Sequence, residues 1–488
     1  MFNTDAARSA AKGDAEYRRP RLLIAGLSVV VLTVAVLQTA VVPVLGIIAA
    51  QLHASAVAVS WAVTANLLAA AAATPLIGRL ADLHNKKSVL LAVLTIVLIG
   101  SVLAATTSSL PLLILGRVLQ GASFALYPIS VAIIRDELPP DRLVSAMSVL
   151  SGTLGFGGGA GLVVTGLLMN GAAGYHRVFW LTTAFSILVI VVVLFVVPSR
   201  EPRSTGSIDW LGAAGLAAGL SAVLLAITQG DSWGWTSPWT LGCAVAGVVV
   251  IVGWWLWERR GTQPLVSTRM LSRRPILLTN LATVFVGMGL YFAFLGLTKF
   301  VQIPRGAAGY GFGASVLAAS VVYLLPGALT GFLVALISGR FIDRFGARAV
   351  LAAAAMAGVV GFVFIAVAHS QPWQVIAASI LANAYISLGY GALPALVVSE
   401  VGAAETGVAT SVNAIARTVG SSIAAALVAV LLGHSAIPRE SSFVAIFLAG
   451  AVTAAVAMLL IAVTRPRDGR MESVDARCES RAMNHEWG

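Results

Sequence analysis

Apolar runs follow one another from residue 22 to residue 464, and the longest break among them, residues 258–274, is too short to fold by itself. A bilayer span needs about 20 apolar residues, and fourteen runs reach that length, the first over 22–50. Inside lipid each backbone N–H and C=O must find its partner within the protein, which makes helix the structure for runs of this kind. The expected fold class is therefore all-α, a membrane protein with fourteen transmembrane helices. Composition agrees: 58% of residues are hydrophobic and 10% charged, against roughly a quarter charged in soluble domains. The first run follows "YRRPR" and is too long for a signal-peptide core, so it reads as a retained anchor.

The net charge of +11 is not spread evenly. With the N-terminus inside, 25 of the 31 Lys and Arg fall in the two ends and the even-numbered loops, four in odd-numbered loops, and two, Arg117 and Arg417, within runs. That is the positive-inside asymmetry, with both termini cytoplasmic in a cell (plasma or inner) membrane. The basic excess then belongs to a membrane face and not to a nucleic-acid partner. No G-x-x-x-x-G-K-[ST] phosphate loop occurs. Neither metal-ligand spacing nor a Ser-His-Asp arrangement stands out, so no catalytic residue, metal or cofactor is expected. Cys243 and Cys478 fall in a span and a tail, and no disulfide is expected. The tryptophans of "DSWGWTSPW" (231–239) and "WWLWERR" (254–260) bracket the eighth run as interface belts.

Two charged patches organise the chain. "GRLADLHNKKSVLLA" (78–92) and "GRFIDRFGARAVLAA" (339–353) share Gly, Arg, Asp, Val, Leu and Ala in register. Aligning them makes runs 1–6 and 9–14 equivalent halves and leaves runs 7 and 8 inserted between them. The expected division is a tail over 1–21, a six-helix bundle over 22–198, two inserted helices and a loop over 199–274, a second bundle over 275–464, and a tail over 465–488. Internal repeats of this kind mark secondary transporters, with the substrate site near the midplane between the halves.

These residues resemble the major facilitator superfamily, and within it the fourteen-span branch that includes the drug:proton antiporters. The family's first loop signature, Gly-x-x-x-Asp-x-x-Gly-(Arg/Lys)-(Arg/Lys), appears as Gly78, Asp82, Asn85, Lys86 and Lys87, and again as Gly339, Asp343, Gly346 and Arg348. Asn85 stands where the signature has glycine; because Asn tolerates positive φ, the same tight turn is expected there. "LILGRVLQGAS" (113–123), the glycine-rich "GTLGFGGGAG" (152–161) and "YHRVFW" (175–180) resemble the signatures of spans 4, 5 and 6. The resemblance implies export of small organic molecules by alternating access, as in multidrug or natural-product efflux, in exchange for protons. It implies no partner beyond substrate, protons and bilayer. Metabolite uptake and uncoupled facilitation stay open beside it, as does a different class, a non-transporting sensor or scaffold.

The resemblance also assigns Asp82 to the start of span 13, near Thr406 and Gly407, and Asp343 to the start of span 5, near Val144. There each carboxylate meets a helix N-terminus and acts as a gate contact, with Gly78, Lys86, Lys87, Gly339, Gly346 and Arg348 in the same loops. Ordinary turn formation and anchoring are the alternative for the loop cations. Arg117 lies deep in span 4, and charge at that depth faces a cavity or a partner. Gln120, Phe124 and Tyr127 follow at helical spacing and share its face. Arg417, with Asn413 one turn earlier, forms a second polar face. Gln38, Asn66, Asn280 and Asn383 are mid-span amides, suited equally to touching substrate or to bonding helices together. Gly155, Gly157, Gly158, Gly159 and Gly161 in span 5 allow close helix contact or a bend. All twenty acidic residues fall in loops, tails or helix mouths. Gln38 occupies the place of a span-1 Asp found in many relatives, and Gln does not titrate.

Overall fold

The computed structural model describes residues 20–169, 174–201, 207–261, 266–402, 405–432 and 438–463. No strand occurs among them. Cys478 and most of both tails lie outside these residues. Fourteen helices are long and apolar enough to span a bilayer: α1 (Pro20–Thr39), α2 (Trp61–Leu83), α3 (Lys86–Thr106), α4 (Leu110–Glu137), α5 (Ser145–Leu168), α6 (His176–Val196), α7 (Trp210–Trp233), α8 (Pro238–Glu258), α9 (Arg274–Gln302), α10 (Ala319–Ile342), α11 (Ala347–Val367), α12 (Pro372–Ser399), α13 (Thr406–Leu432) and α14 (Glu440–Val463).

Three runs that read as unbroken in sequence are interrupted, each beside a proline that has no N–H to give the ladder. The run 22–50 stops at Thr39; a 3₁₀ turn, Val42–Val44, carries Pro43, and a separate short helix, Leu45–Gln51, follows. In α4 a 3₁₀ segment, Ala122–Ala125, precedes Pro128, whose ring crowds the carbonyl of residue 124. In α10 a π segment, Ala319–Leu324, precedes Pro326, the kind of bulge that re-satisfies a disturbed ladder.

The two loop copies also differ. Gly346 turns at φ 81°, whereas Asn85 stays at φ −58°. The expectation of a positive φ at Asn85 is thus wrong. Its side chain instead caps α3, Oδ1 accepting from the N–H of Lys87 at 3.0 Å and of Ser88 at 3.4 Å. A capping side chain replaces the orphan-amide partners that the glycine turn leaves to other groups.

Packing repeats between the halves. In the first, α1 packs on α4, α5 and α6, α3 on α4 and α6, and α2 on α4; in the second, α9 packs on α12, α13 and α14, α11 on α12 and α14, and α10 on α12. The halves are therefore pseudo-symmetric six-helix bundles. They meet along two related seams, α2 with α13 and α5 with α10. The inserted α7 and α8 pair with each other, and α7 lies on both α2 and α13, covering that seam. Outward faces stay apolar for lipid, as at Phe195 and Val367, 85% and 80% exposed.

Candidate functional site

A cavity of about 450 Å³ lies between the halves. Its walls come from Ala35–Thr39 of α1, Val63–Leu67 of α2, Arg117 and Phe124 of α4, and Leu154–Leu162 of α5. The second half adds Leu290–Leu297 of α9, Asn383, Ile386 and Tyr390 of α12, and Arg417–Ala429 of α13. Neighbouring spans run in opposite directions. These stretches therefore place the cavity towards the end of the bundle remote from the loops after Gly78 and Gly339.

At the loop end the halves are in contact. Asp82, 2% exposed, accepts from the N–H of Gly407 through Oδ1 and of Val408 through Oδ2, both at 3.0 Å. The carboxylate thus caps the N-terminus of α13, where the helix dipole favours an anion. Gly78 is the contact point beside it: a Cβ there would collide with the Ser411 hydroxyl and approach the Gly407 carbonyl to 3.0 Å. At the related seam, a Cβ on Gly339 would come within 2.7 Å of the Ser145 Cα at the start of α5. The Asp343 and Val144 side chains lie outside what the structure describes. Arg135 fastens the end of α4 to the segment before α13, donating to the Val401 carbonyl at 2.6 Å and to Thr406 Oγ1 at 2.5 Å. The loop cations are held within their own half. Lys86 pairs with Asp136 at 2.7 Å, and Lys87 Nζ donates to the Leu194 carbonyl at 2.8 Å. Arg348 Nε is buried with no hydrogen-bond partner among the described residues.

The two span arginines have opposite surroundings. Arg117, 1% exposed, donates to the Ala62 carbonyl at 2.9 Å, to the Leu37 carbonyl at 3.2 Å and to Gln120 Oε1 at 2.6 Å. Gln120 Nε2 goes on to Ser101 Oγ at 2.8 Å, and Asn66 Nδ2 donates to the Arg117 carbonyl at 2.8 Å. Arg417 is 7% exposed and lies between two tyrosines, its guanidinium carbon 5.2 Å from the Tyr127 ring centre and 4.8 Å from that of Tyr390. The Tyr127 hydroxyl meets Ser151 Oγ at 2.8 Å, and Ser151 donates to the Tyr390 carbonyl at 2.7 Å, a link from α5 of one half to α12 of the other.

Of the span residues singled out in sequence, Gln38, Asn66, Arg117, Phe124, Asn383 and Arg417 line the cavity. Gln120, Tyr127, Asn280 and Asn413 do not. Gln120 stands behind Arg117, and the 3₁₀ segment breaks the face that was expected to carry Tyr127 on with it. Asn413 turns to α9 and donates to Asn280 Oδ1 at 2.9 Å and Thr283 Oγ1 at 2.8 Å, a helix-to-helix link. Gly155, Gly158 and Gly159 form cavity wall, whereas Gly157 and Gly161 lie against α1. Sequence reasoning missed Tyr390, Tyr291 and Thr228, all cavity-lining. The tyrosines carry a weak signal, a hydroxyl on a mid-span aromatic; Thr228 carries none. With it, Gln229 Nε2 reaches Thr64 Oγ1 at 3.3 Å, joining the inserted α7 to the site.

The chain is 29% identical over 374 residues to the uridine/deoxyuridine transporter of Lactococcus lactis subsp. cremoris, spanning 74% of this chain and 75% of that one. It is 29% identical over 432 residues to the tetracenomycin C resistance and export protein of Streptomyces glaucescens, spanning 85% and 76%. Among solved structures, the human organic anion transporter MFSD10 (TETRAN) superposes with a TM-score of 0.64 over 91% of this chain and 100% of that one; at 16% identity this likeness concerns the fold. The family model of the Major Facilitator Superfamily matches residues 27–210 and 209–425. With most of the chain matched and the paired six-helix bundles in place, this protein belongs to the Major Facilitator Superfamily.

Proposed function

We propose that this protein exports small organic molecules across the cell membrane by alternating access, with both termini cytoplasmic. The observation that carries the reading is a cavity between two pseudo-symmetric bundles that ends in tight contacts, Asp82 on the α13 N-terminus above all, at the end where the basic loops lie. By the positive-inside asymmetry that end is cytoplasmic, so the conformation is shut to the cytoplasm, and the Asp82, Gly78 and Gly339 contacts are the gate. The moving units are 22–198 and 275–464, with 199–274 carrying the inserted pair. Similarity to the Streptomyces tetracenomycin exporter, and to a Mycobacterium tuberculosis multidrug resistance protein B homolog at 26% identity over 388 residues, supports export.

Protons are the proposed counter-ion. Asp82 is the gate carboxylate whose contact with α13 exists only while the halves touch, and protonation removes the charge that the helix dipole holds. Proteoliposome flux with and without an imposed pH gradient tests this: a flux driven by a solute gradient yet indifferent to pH would end the antiport reading and leave transport standing. The similarity to a uridine/deoxyuridine transporter favours a second reading, uptake. Overexpression in cells separates the two, raising tolerance to an exported toxin and lowering it for an imported one.

A further inference from the structure

We propose that Arg417, with Tyr127 and Tyr390, is an anion-recognition subsite, and that the molecules carried bear a carboxylate or similar anionic group on an apolar, aromatic-sized body. This deepens the transport reading above and rests on it. The first ground is the state of the guanidinium. Tyr127 and Tyr390 offer it ring faces, which attract a cation through the ring quadrupole but accept no in-plane N–H bond. Among the described residues Arg417 has no hydrogen bond and no ion pair, although it is buried and lines the cavity. A buried cation in that state holds five donors for an acceptor still to arrive, and the guanidinium fork matches a carboxylate.

The second ground is the charge of the whole chamber. Among the described residues its walls include Arg117 and Arg417 but no Asp or Glu. A cationic drug would enter against two like charges with no counter-charge to meet, whereas an anion removes the desolvation penalty that Arg417 otherwise bears. Arg117 is the less available of the two, since two carbonyls and a side-chain amide already take three of its five donors, Nε–H and both of Nη1. The third ground is independent of charge. Tyr390 is itself a cavity residue, 4% exposed, and its hydroxyl is buried with no partner among the described residues. It is a spare donor on a ring whose centre lies 4.8 Å from the Arg417 guanidinium carbon, open to a second oxygen of the same anionic group once the wall around it parts. The remaining wall is mostly apolar, with Leu154, Leu162, Leu290, Phe294 and Ile386 among amides such as Gln38, Asn66 and Asn383, and suits the body of such a molecule.

The test uses the full chain in phosphatidylcholine nanodiscs, which hold no anionic lipid, and three probes of one shape: 2-naphthoate, its neutral amide and 2-naphthylmethylammonium. Binding is read by calorimetry. The carboxylate is expected to bind about tenfold or more tighter than the amide, and the ammonium weakest, as a charge-assisted fork predicts. Arg417→Gln should bring carboxylate and amide within about twofold of each other while amide affinity holds. Arg417→Lys should keep part of the preference, and Tyr390→Phe should reduce it by a few-fold. Unchanged thermal unfolding of the variants excludes a folding defect; if Arg417→Gln unfolds, the Arg417→Lys and Tyr390→Phe pair decides alone. Tightest binding of the ammonium, no binding of any probe, or an unaltered preference in the variants would overturn the proposal. A carboxylate preference without flux in proteoliposomes would instead overturn the transport reading and leave the subsite standing.

Discussion

Arg117 and Arg417 are both buried, both line one chamber, and both announce themselves in sequence as cations inside apolar runs. Their surroundings separate them. Arg117 spends three of its five donors on the Ala62 and Leu37 carbonyls and on Gln120, so it holds α1, α2 and α4 together. Arg417 meets two aromatic faces and no acceptor among the described residues. Burial of charge therefore identifies candidates, and the inventory of acceptors around each one assigns the work.

The sharpest way to break this contrast is to replace each arginine in turn. Arg417→Ala should lower transport of an anionic substrate by more than about tenfold, as loss of one partner of a desolvated charge pair does, with thermal stability little changed. Arg117→Lys should act on every substrate alike, whatever its charge, and should lower stability by about 1–3 kcal/mol because an ammonium cannot reproduce the three-way fork. Thermal unfolding and flux measured side by side distinguish the two; a charge-selective defect at Arg117 would reverse their roles.

Next in size is the gate. Gly78→Ala drives a methyl into Ser411 and should destabilise the shut contact by about 1–3 kcal/mol, read as faster labelling of a cysteine placed near Gly407 from the basic-loop side. Asp82→Asn should act in the same direction, by about 1–3 kcal/mol, since it removes charge from a helix N-terminus and turns an amide N–H₂ toward one of the two N–H groups that the carboxylate accepts. Equal labelling in wild type and both variants would remove the gate from this end. The smallest effect is expected at Asn413, where Asn413→Ala loses a link to α9 of about 0.6 kcal/mol, visible in unfolding and absent from substrate selectivity.

The fourteen spans were legible because lipid demands a length and an apolar character that few residues can disguise. The repeat was legible because the same loop serves both halves, while the placing of Asp82 beside Gly407 came from the family resemblance. The breaks in α4 and α10 were not read, although Pro128 and Pro326 stand in the sequence, since composition alone does not tell a kinked span from a straight one. The chamber wall was half legible. Asn413 and Arg417 are four residues apart and share a side, yet α9 intervenes at one and open space at the other. Helical spacing gives a direction; the neighbouring helix decides what lies there. Tyr390 escaped for the same reason, since its importance comes from a cation on another span.

The inserted pair gives the halves unequal surroundings. With α7 lying over α2 and α13, one seam is roofed by protein, while along the other α5 and α10 turn Leu167 and Leu333, 58% and 60% exposed, to the lipid. Rocking one half against the other must slide one flank beneath a protein cover and part the opposite flank directly against acyl chains. The bilayer's lateral pressure and thickness thus bear on a single side of the motion, and a machine built of matching halves works under a lopsided mechanical load.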